Sequence, residues 1–280
     1  LLVSLIVAAL FALMWALLAH SFLKLSTATG ASGHTVYRER ALKRQSADAA
    51  LFKKELARFT FSPNYMLNCG LGAVERSVAL VIKGGELLPL LQMAFGNRGG
   101  CVEVLLCTGV CTIAAMNDMA TPSVSLEGKN LWLAQSLPLT PWQVLRAKLK
   151  VQLALTAIPA LVPLVCMVLV LPLTPALPLI FVTALSYIVF SACLGLTLGV
   201  MRANLTWTNE LAPIKQSLAV MIAMFGGWAY ALLLAGLYLL LGWRIGAASY
   251  LALFSAATIA AALALLKWLK TKGAQRLAAL

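Results

Sequence analysis

Apolar stretches of near-membrane length, divided by short basic or glycine- and proline-marked connections, recur along the whole chain. Seven stand out, at residues 2–23, 64–83, 101–120, 149–171, 179–201, 217–241 and 247–266. Each is close to the roughly 20 residues an α-helix needs to cross about 30 Å of hydrocarbon. None alternates strictly between apolar and polar positions, as a barrel strand would. Hydrocarbon offers no partner to a free backbone amide, so each run is predicted to be helical. The pattern predicts an all-α, polytopic transmembrane helical bundle of about seven spans in a single domain covering residues 1–280.

Composition points the same way. Hydrophobic residues make up 61% of the chain and charged ones 11%, too little polar surface to cover a water-soluble core. Leu1 already lies inside an apolar run, which leads us to expect a fragment or a processed product. The alternative for this run is a secretory signal, but it is longer than a usual signal core and shows no clear cleavage site.

The net charge of +13 would suit a nucleic-acid binder, but the cations are not interleaved with aromatics in one soluble domain, and no nucleic-acid partner is expected. They follow topology instead. Alternate connections hold 18 of the lysines and arginines, and the opposite set holds Lys83, Arg98 and Arg244, with Arg76 inside the second run. Positive charge is retained on the cytoplasmic side, so the expectation is a multi-pass cell-membrane protein with its first residue outside and its C-terminus in the cytoplasm. Two histidines and six scattered cysteines form no metal framework; Cys107 and Cys111 read as small buried hydrophobes.

Between the runs, a helix near 47–59 gathers Leu51, Phe52, Leu56 and Phe59 on one side and Lys53, Lys54 and Arg58 on the other. It is expected as an amphipathic helix on the inner membrane surface, its cations near anionic headgroups. Gly84-Gly85, Pro89 and Gly99-Gly100 suggest a short interfacial or re-entrant element over 83–100. Pro159 and Pro163 predict a kink, and Gly195 and Gly199 a close helix approach. Glu75 and Arg76 lie within the second span, where unpaired charge is expensive. They suggest a transport pathway, an interhelical ion pair or a span that begins one turn later. Glu103 and Asp118 are expected near opposite ends of the third span, solvated by headgroups and water.

The segment 122–150 is too long and too apolar for an idle connection. Pro138 and Pro141 separate two short helices, and Glu127, Lys129 and Trp132 supply the charged and aromatic anchors common at interfaces. This segment resembles the permease subunits of bacterial ABC-2-type exporters. The resemblance is carried by Ser125-Leu126-Glu127-Gly128-Lys129-Asn130-Leu131-Trp132, then Ser136-Leu137-Pro138 and Leu145-Arg146-Ala147-Lys148. Lys54-Glu55-Leu56 with Ser62-Pro63-Asn64-Tyr65-Met66-Leu67-Asn68, and Asn204-Leu205-Thr206-Trp207-Thr208-Asn209-Glu210 with Pro213-Ile214-Lys215-Gln216, agree in the same order.

The resemblance covers nearly the whole chain and fits the C-terminal half of a longer permease. It implies an exporter subunit moving an unidentified substrate, with short coupling helices that dock a separate ABC ATPase. The docking residues it implies are Glu127, Gly128, Lys129, Trp132 and Arg146, with Trp207, Glu210 and Lys215 in a second cytoplasmic loop. It also implies either a missing N-terminal half or a second permease copy. The residues agree that no phosphate loop is present: Ser123 stands where the first glycine of GxxxxGK[ST] would, and Asn130 follows Gly128-Lys129. No cofactor is expected in this chain, and ATP and Mg belong to the partner. Glu75-Arg76 departs from the family pattern. The rival readings are an ion-coupled secondary transporter, an intramembrane enzyme and a noncatalytic scaffold. The enzyme suffers from a scarcity of convergent acid and histidine groups.

Overall fold

The computed structural model gathers the apolar runs into a helical bundle, with four spans packed around one central helix and a fifth on the outside. The structure describes residues 11–16, 19–20, 45–96 and 99–280. They contain helices and turns and no strand. Residues 11–16 are helical, with the Phe11 and Trp15 rings 6.4 Å apart. Residues 19–20 are helical as well, and the rest of the first predicted span lies outside the described residues.

The following unit starts at Gln45. Helix α1 spans Ala47–Phe61, capped by Ser46, whose hydroxyl accepts from the Ala49 amide. Pro63 then opens α2, Pro63–Phe95, with Ser62 as N-cap and a π-helical turn at Leu67–Leu71. The third span is broken into α3, Cys101–Ala115, and α4, Ala120–Ser125. After a 3-10 turn at Gly128–Asn130 come α5, Leu131–Ser136, and α6, Pro141–Val170, which opens with a capping box between Thr140 and Gln143. Then follow α7, Ala176–Met201; α8, Leu211–Lys215; α9, Leu218–Leu240; and α10, Ala247–Ala278, with a π-turn at Leu269–Gly273.

Six helices among the described residues are long and apolar enough to cross a membrane: Pro63–Phe95, Cys101–Ser125, Pro141–Val170, Ala176–Met201, Leu211–Leu240 and Ala247–Ala278. They match six of the seven predicted spans, and the chain is a multi-pass helical membrane protein. The structure overturns the interfacial element expected over 83–100. Helix α2 continues through Gly84, Gly85 and Pro89 to Phe95, because a membrane helix tolerates these residues inside its ladder. At 1.5 Å per residue α2 is roughly 50 Å long, so its ends reach past the hydrocarbon.

Helix α7 is the centre. It packs against α3, α4, α6, α9 and α10 and is buried along most of its length from Ala176 to Val200, except for a stripe of Pro178, Val182, Leu185 and Val189 that faces outward. Small side chains allow this. A Cβ at Gly199 would meet the Thr121 carbonyl oxygen at 2.3 Å, and one at Gly195 the Asp118 carboxylate at 2.6 Å. The GxxxG step thus seats the broken third span. Aromatic rings tie the other side: Phe190 to Tyr230 at 4.6 Å, Tyr230 to Phe254 at 5.3 Å, Phe254 to Tyr250 at 6.1 Å and Tyr250 to Tyr238 at 5.1 Å. Tyr187 donates to the Gly227 carbonyl at 2.7 Å and Tyr250 to the Leu234 carbonyl at 2.6 Å. In lipid, such packing and interhelical hydrogen bonds replace the hydrophobic drive between helices.

Pro159 and Pro163 lie inside an α6 that runs unbroken. Cys107 and Cys111 are buried free thiols.

Candidate functional site: an ion cluster beneath an apolar ledge

Leu51, Glu55 and Phe59 recur at a spacing of four on α1 and are its buried residues. A helix face of that periodicity packs on a neighbour, here α6. The stripe therefore carries a carboxylate into the bundle. The structure revises the headgroup role expected for this helix: Lys53 is exposed, whereas Lys54 and Arg58 turn toward a buried acid from the loop after α4.

That acid is Glu127. Its Oε1 lies 2.8 Å from Lys148 Nζ and 3.3 Å from Lys54 Nζ, and its Oε2 accepts from Arg58 Nη2 at 2.7 Å. Lys148, with a fully buried side chain, also donates to Glu55 Oε2 at 2.9 Å and to the Ser123 carbonyl at 3.0 Å. Two acids and three bases are thus joined across α1, α6 and the 120–130 segment. Burial alone would raise the Glu127 carboxyl, but Lys148, the Arg58 hydrogen bond and the remaining cations outweigh it and hold the group well below the usual carboxylate range. Arg58 is raised despite its burial, chiefly by the Glu127 hydrogen bond.

A second tie lies nearby. Arg146 pairs with Asp48 at the start of α1, and that hydrogen bond holds the Asp48 carboxyl below its ordinary value. Trp207 donates its indole N–H to the Ser125 carbonyl at 2.6 Å, and its ring covers Gly128. Gly128 has φ of +53°, and a Cβ there would stand 3.3 Å from the indole. Glu210 accepts from the Ser62 hydroxyl at 2.7 Å. Lys215, in the last turn of α8, is exposed.

The residues expected at a docking surface therefore divide into two groups. Glu127 and Gly128 are buried, Arg146 is paired, and Trp207 and Glu210 face other loops of this chain. Lys129 and Trp132 are exposed. Trp132 is 60% exposed, Leu133 53% and Leu137 49%. Leu131 and Ala134 on the opposite side of α5 are buried. Helix α5 is thus a ledge with one face fixed in the bundle and the other bare. Sequence reasoning missed Lys148 as the partner of Glu127, and Glu55 as the second acid on the same lysine. The signal available was a single acid within an otherwise apolar stripe.

Glu75 and Arg76 are exposed on α2 and make no ion pair among the described residues. Arg76 folds back over Gly72, toward the Pro63 end of the helix. An apolar cavity of about 280 Å³ separates α2 from α6, lined by Leu80, Gly84, Gly85, Leu88, Pro163 and Met167 among others. Among the described residues no group of three or more histidines, cysteines or acids is placed to hold a metal ion. No protein-family model, curated protein or solved structure matches this chain.

Proposed function

We propose that this chain is the membrane-spanning subunit of an ATP-driven exporter and that the α5 ledge receives a separate ATPase subunit. The observation that carries the reading is the division of the 127–137 segment between a bare side bearing Lys129, Trp132, Leu133 and Leu137 and a side fixed to the spans by the buried Leu131 and Ala134 and by the Glu127–Lys148 pair. A ledge that merely closed a loop would not leave three large apolar side chains open. A force applied there reaches α1 and α6 through the ion cluster, and α7 through the packing of α4. The sequence resemblance to ABC-2-type permeases supports the same partner, which would bring the ATP and Mg that this chain has no motif to hold. The excess of lysine and arginine in alternate connections supports a cytoplasmic ledge and C-terminus in a cell membrane. The substrate path would be completed by the partner half or by a second copy.

Coupling requires that the ATPase contact the ledge differently in its nucleotide states. Copurification tests it. An ATPase should be retained with the intact chain and lost from the triple variant Lys129→Ser, Trp132→Ser, Leu133→Ser, whose melting temperature stays close to the parent. Full retention on that variant would remove the docking assignment. An ion-coupled transporter is favoured by one different observation, the polar break between α3 and α4. Transport that persists without ATP and collapses with an ion gradient would decide for it.

A further inference from the structure

The third span stops being regular at a place that its neighbours hold in a fixed form. The end of α3 tightens, with the Met116 amide donating to the Ile113 carbonyl at 3.1 Å and the Asn117 amide to the Ala114 carbonyl at 3.2 Å. Gln152 of α6 fits the gap. Its Oε1 accepts from the amides of Met119 and Ala120 at 2.7 and 2.9 Å, and its amide nitrogen donates to the Asn117 carbonyl and to Thr156 Oγ1. A break in a spanning helix is tolerated where it is buried in protein or lines a cavity, and this one does both.

Three features of the break ask for positive charge. First, Asn117 is 1% exposed. Its side-chain nitrogen donates to the Leu155 carbonyl at 3.2 Å and to Thr156 Oγ1 at 3.1 Å. A carbonyl only accepts, so this bond fixes which end of the amide faces α6. The Oδ1 atom is left buried with no partner, although a buried polar atom ordinarily has one. Second, among the described residues the adjacent Asp118 carboxylate accepts from the amide and hydroxyl of Thr121 and from no other group. No lysine, arginine or histidine lies within 4.0 Å of it among the described residues. Third, α3 has 15 residues, and the negative end of its dipole falls at Ala114 and Ala115.

These groups surround one space. Ala114, Ala115, Asn117, Asp118, Gln152 and Ser191 line a cavity of about 10 Å³, enough for a single water-sized particle. Ser191 donates its hydroxyl proton to the Ile188 carbonyl, so its oxygen is free to accept. The lining offers oxygen ligands, one carboxylate and a helix carbonyl end. A neutral water would satisfy Asn117 but leave the carboxylate uncompensated. Calcium takes about six to eight oxygen ligands and magnesium keeps several of its waters, and a space of this size accommodates neither. Discontinuous membrane helices coordinate monovalent cations through their half-helix carbonyl ends.

We propose that the break between α3 and α4 binds one dehydrated sodium-sized cation, held by Asn117 Oδ1 and the Asp118 carboxylate at the carbonyl end of α3. The ion joins the two halves of the third span and so fixes the angle at which α4 meets α7. The proposal does not depend on an ATPase, and it survives if the docking reading fails.

The test uses the intact chain in detergent. Melting temperature is followed in sodium chloride, potassium chloride and choline chloride at equal ionic strength. Sodium should raise it by several degrees over choline at millimolar concentration, with potassium weaker. Asp118→Asn and Asn117→Leu should abolish the sodium-specific rise, and radioactive sodium should bind the parent saturably at one ion per chain. Absence of both a sodium-specific rise and saturable sodium binding in the parent would overturn the proposal, and so would a full sodium response in Asp118→Asn. A response to pH in place of sodium would assign the site to a proton and overturn it equally. If a variant fails to fold, the binding measurement on the parent still decides.

Discussion

Replacing Glu127 by alanine removes the common acceptor of Lys148, Lys54 and Arg58. The largest consequence falls on Lys148, whose side chain is fully buried and cannot recover water. Breaking a buried ion pair from one side costs about 3–5 kcal/mol, because the remaining charge is uncompensated. The lower end applies here, since Lys148 keeps Glu55 at 2.9 Å and the Ser123 carbonyl at 3.0 Å. Lys54 is 40% exposed and Arg58 23%, so their part of the loss is screened and small. The expected result is a melting temperature well below the parent, measured in detergent by intrinsic fluorescence. Glu127→Ala combined with Lys148→Met should recover part of the loss, with a coupling of about 1–3 kcal/mol. Acidification gives an independent check. The folded carboxyl lies below its ordinary value of 4.5, so its stabilisation is fully present above that pH and falls away as the solution is acidified below it. Between neutrality and pH 5 the Glu127 contribution should be flat. If Glu127→Ala melts within about a degree of the parent, the cluster does not brace the ledge and the reasoning is refuted.

Other outcomes can be checked separately. Gly199→Val places a side chain against the Thr121 carbonyl backbone, where a Cβ already stands at 2.3 Å; a loss of about 1–3 kcal/mol is expected from thermal melts. Trp207→Phe removes the 2.6 Å hydrogen bond to the Ser125 carbonyl and should lower stability by about 1 kcal/mol while leaving the ring over Gly128. Gly128→Ala is forced into a positive φ against the same indole and should destabilise by about 1–2 kcal/mol. Single cysteines at Lys129 and Arg276 should react with an impermeant thiol reagent from the same side of oriented vesicles; labelling from opposite sides would contradict the charge bias.

Hydropathy made the spans legible because the length of an apolar run is a local property. The continuation of α2 was not legible, since Gly84, Gly85 and Pro89 read as breakers by rules learned in water. The ion cluster was hidden for a different reason. Glu127 and Lys148 lie on opposite sides of the ledge, and Glu55 belongs to another helix, so no sequence period connects them. The local hints were Glu55 in step with Leu51 and Phe59, and Gln152 alone in an apolar run. Asp118, expected at a solvated helix end, is partly exposed, and the break beside it is filled by Gln152. The bare side of α5 was more accessible, because Leu131 and Ala134, three apart, share the inward side of this short helix and leave Trp132 and Leu133 to face out.

The chain of rings from Phe190 through Tyr230, Phe254 and Tyr250 to Tyr238 staples α7, α9 and α10 into one plate. Shear between its members would unstack successive contacts at once. The seam between α2 and α6 has no such staple among the described residues, and there the glycines of α2 leave hollow space, which makes it the looser boundary of the bundle.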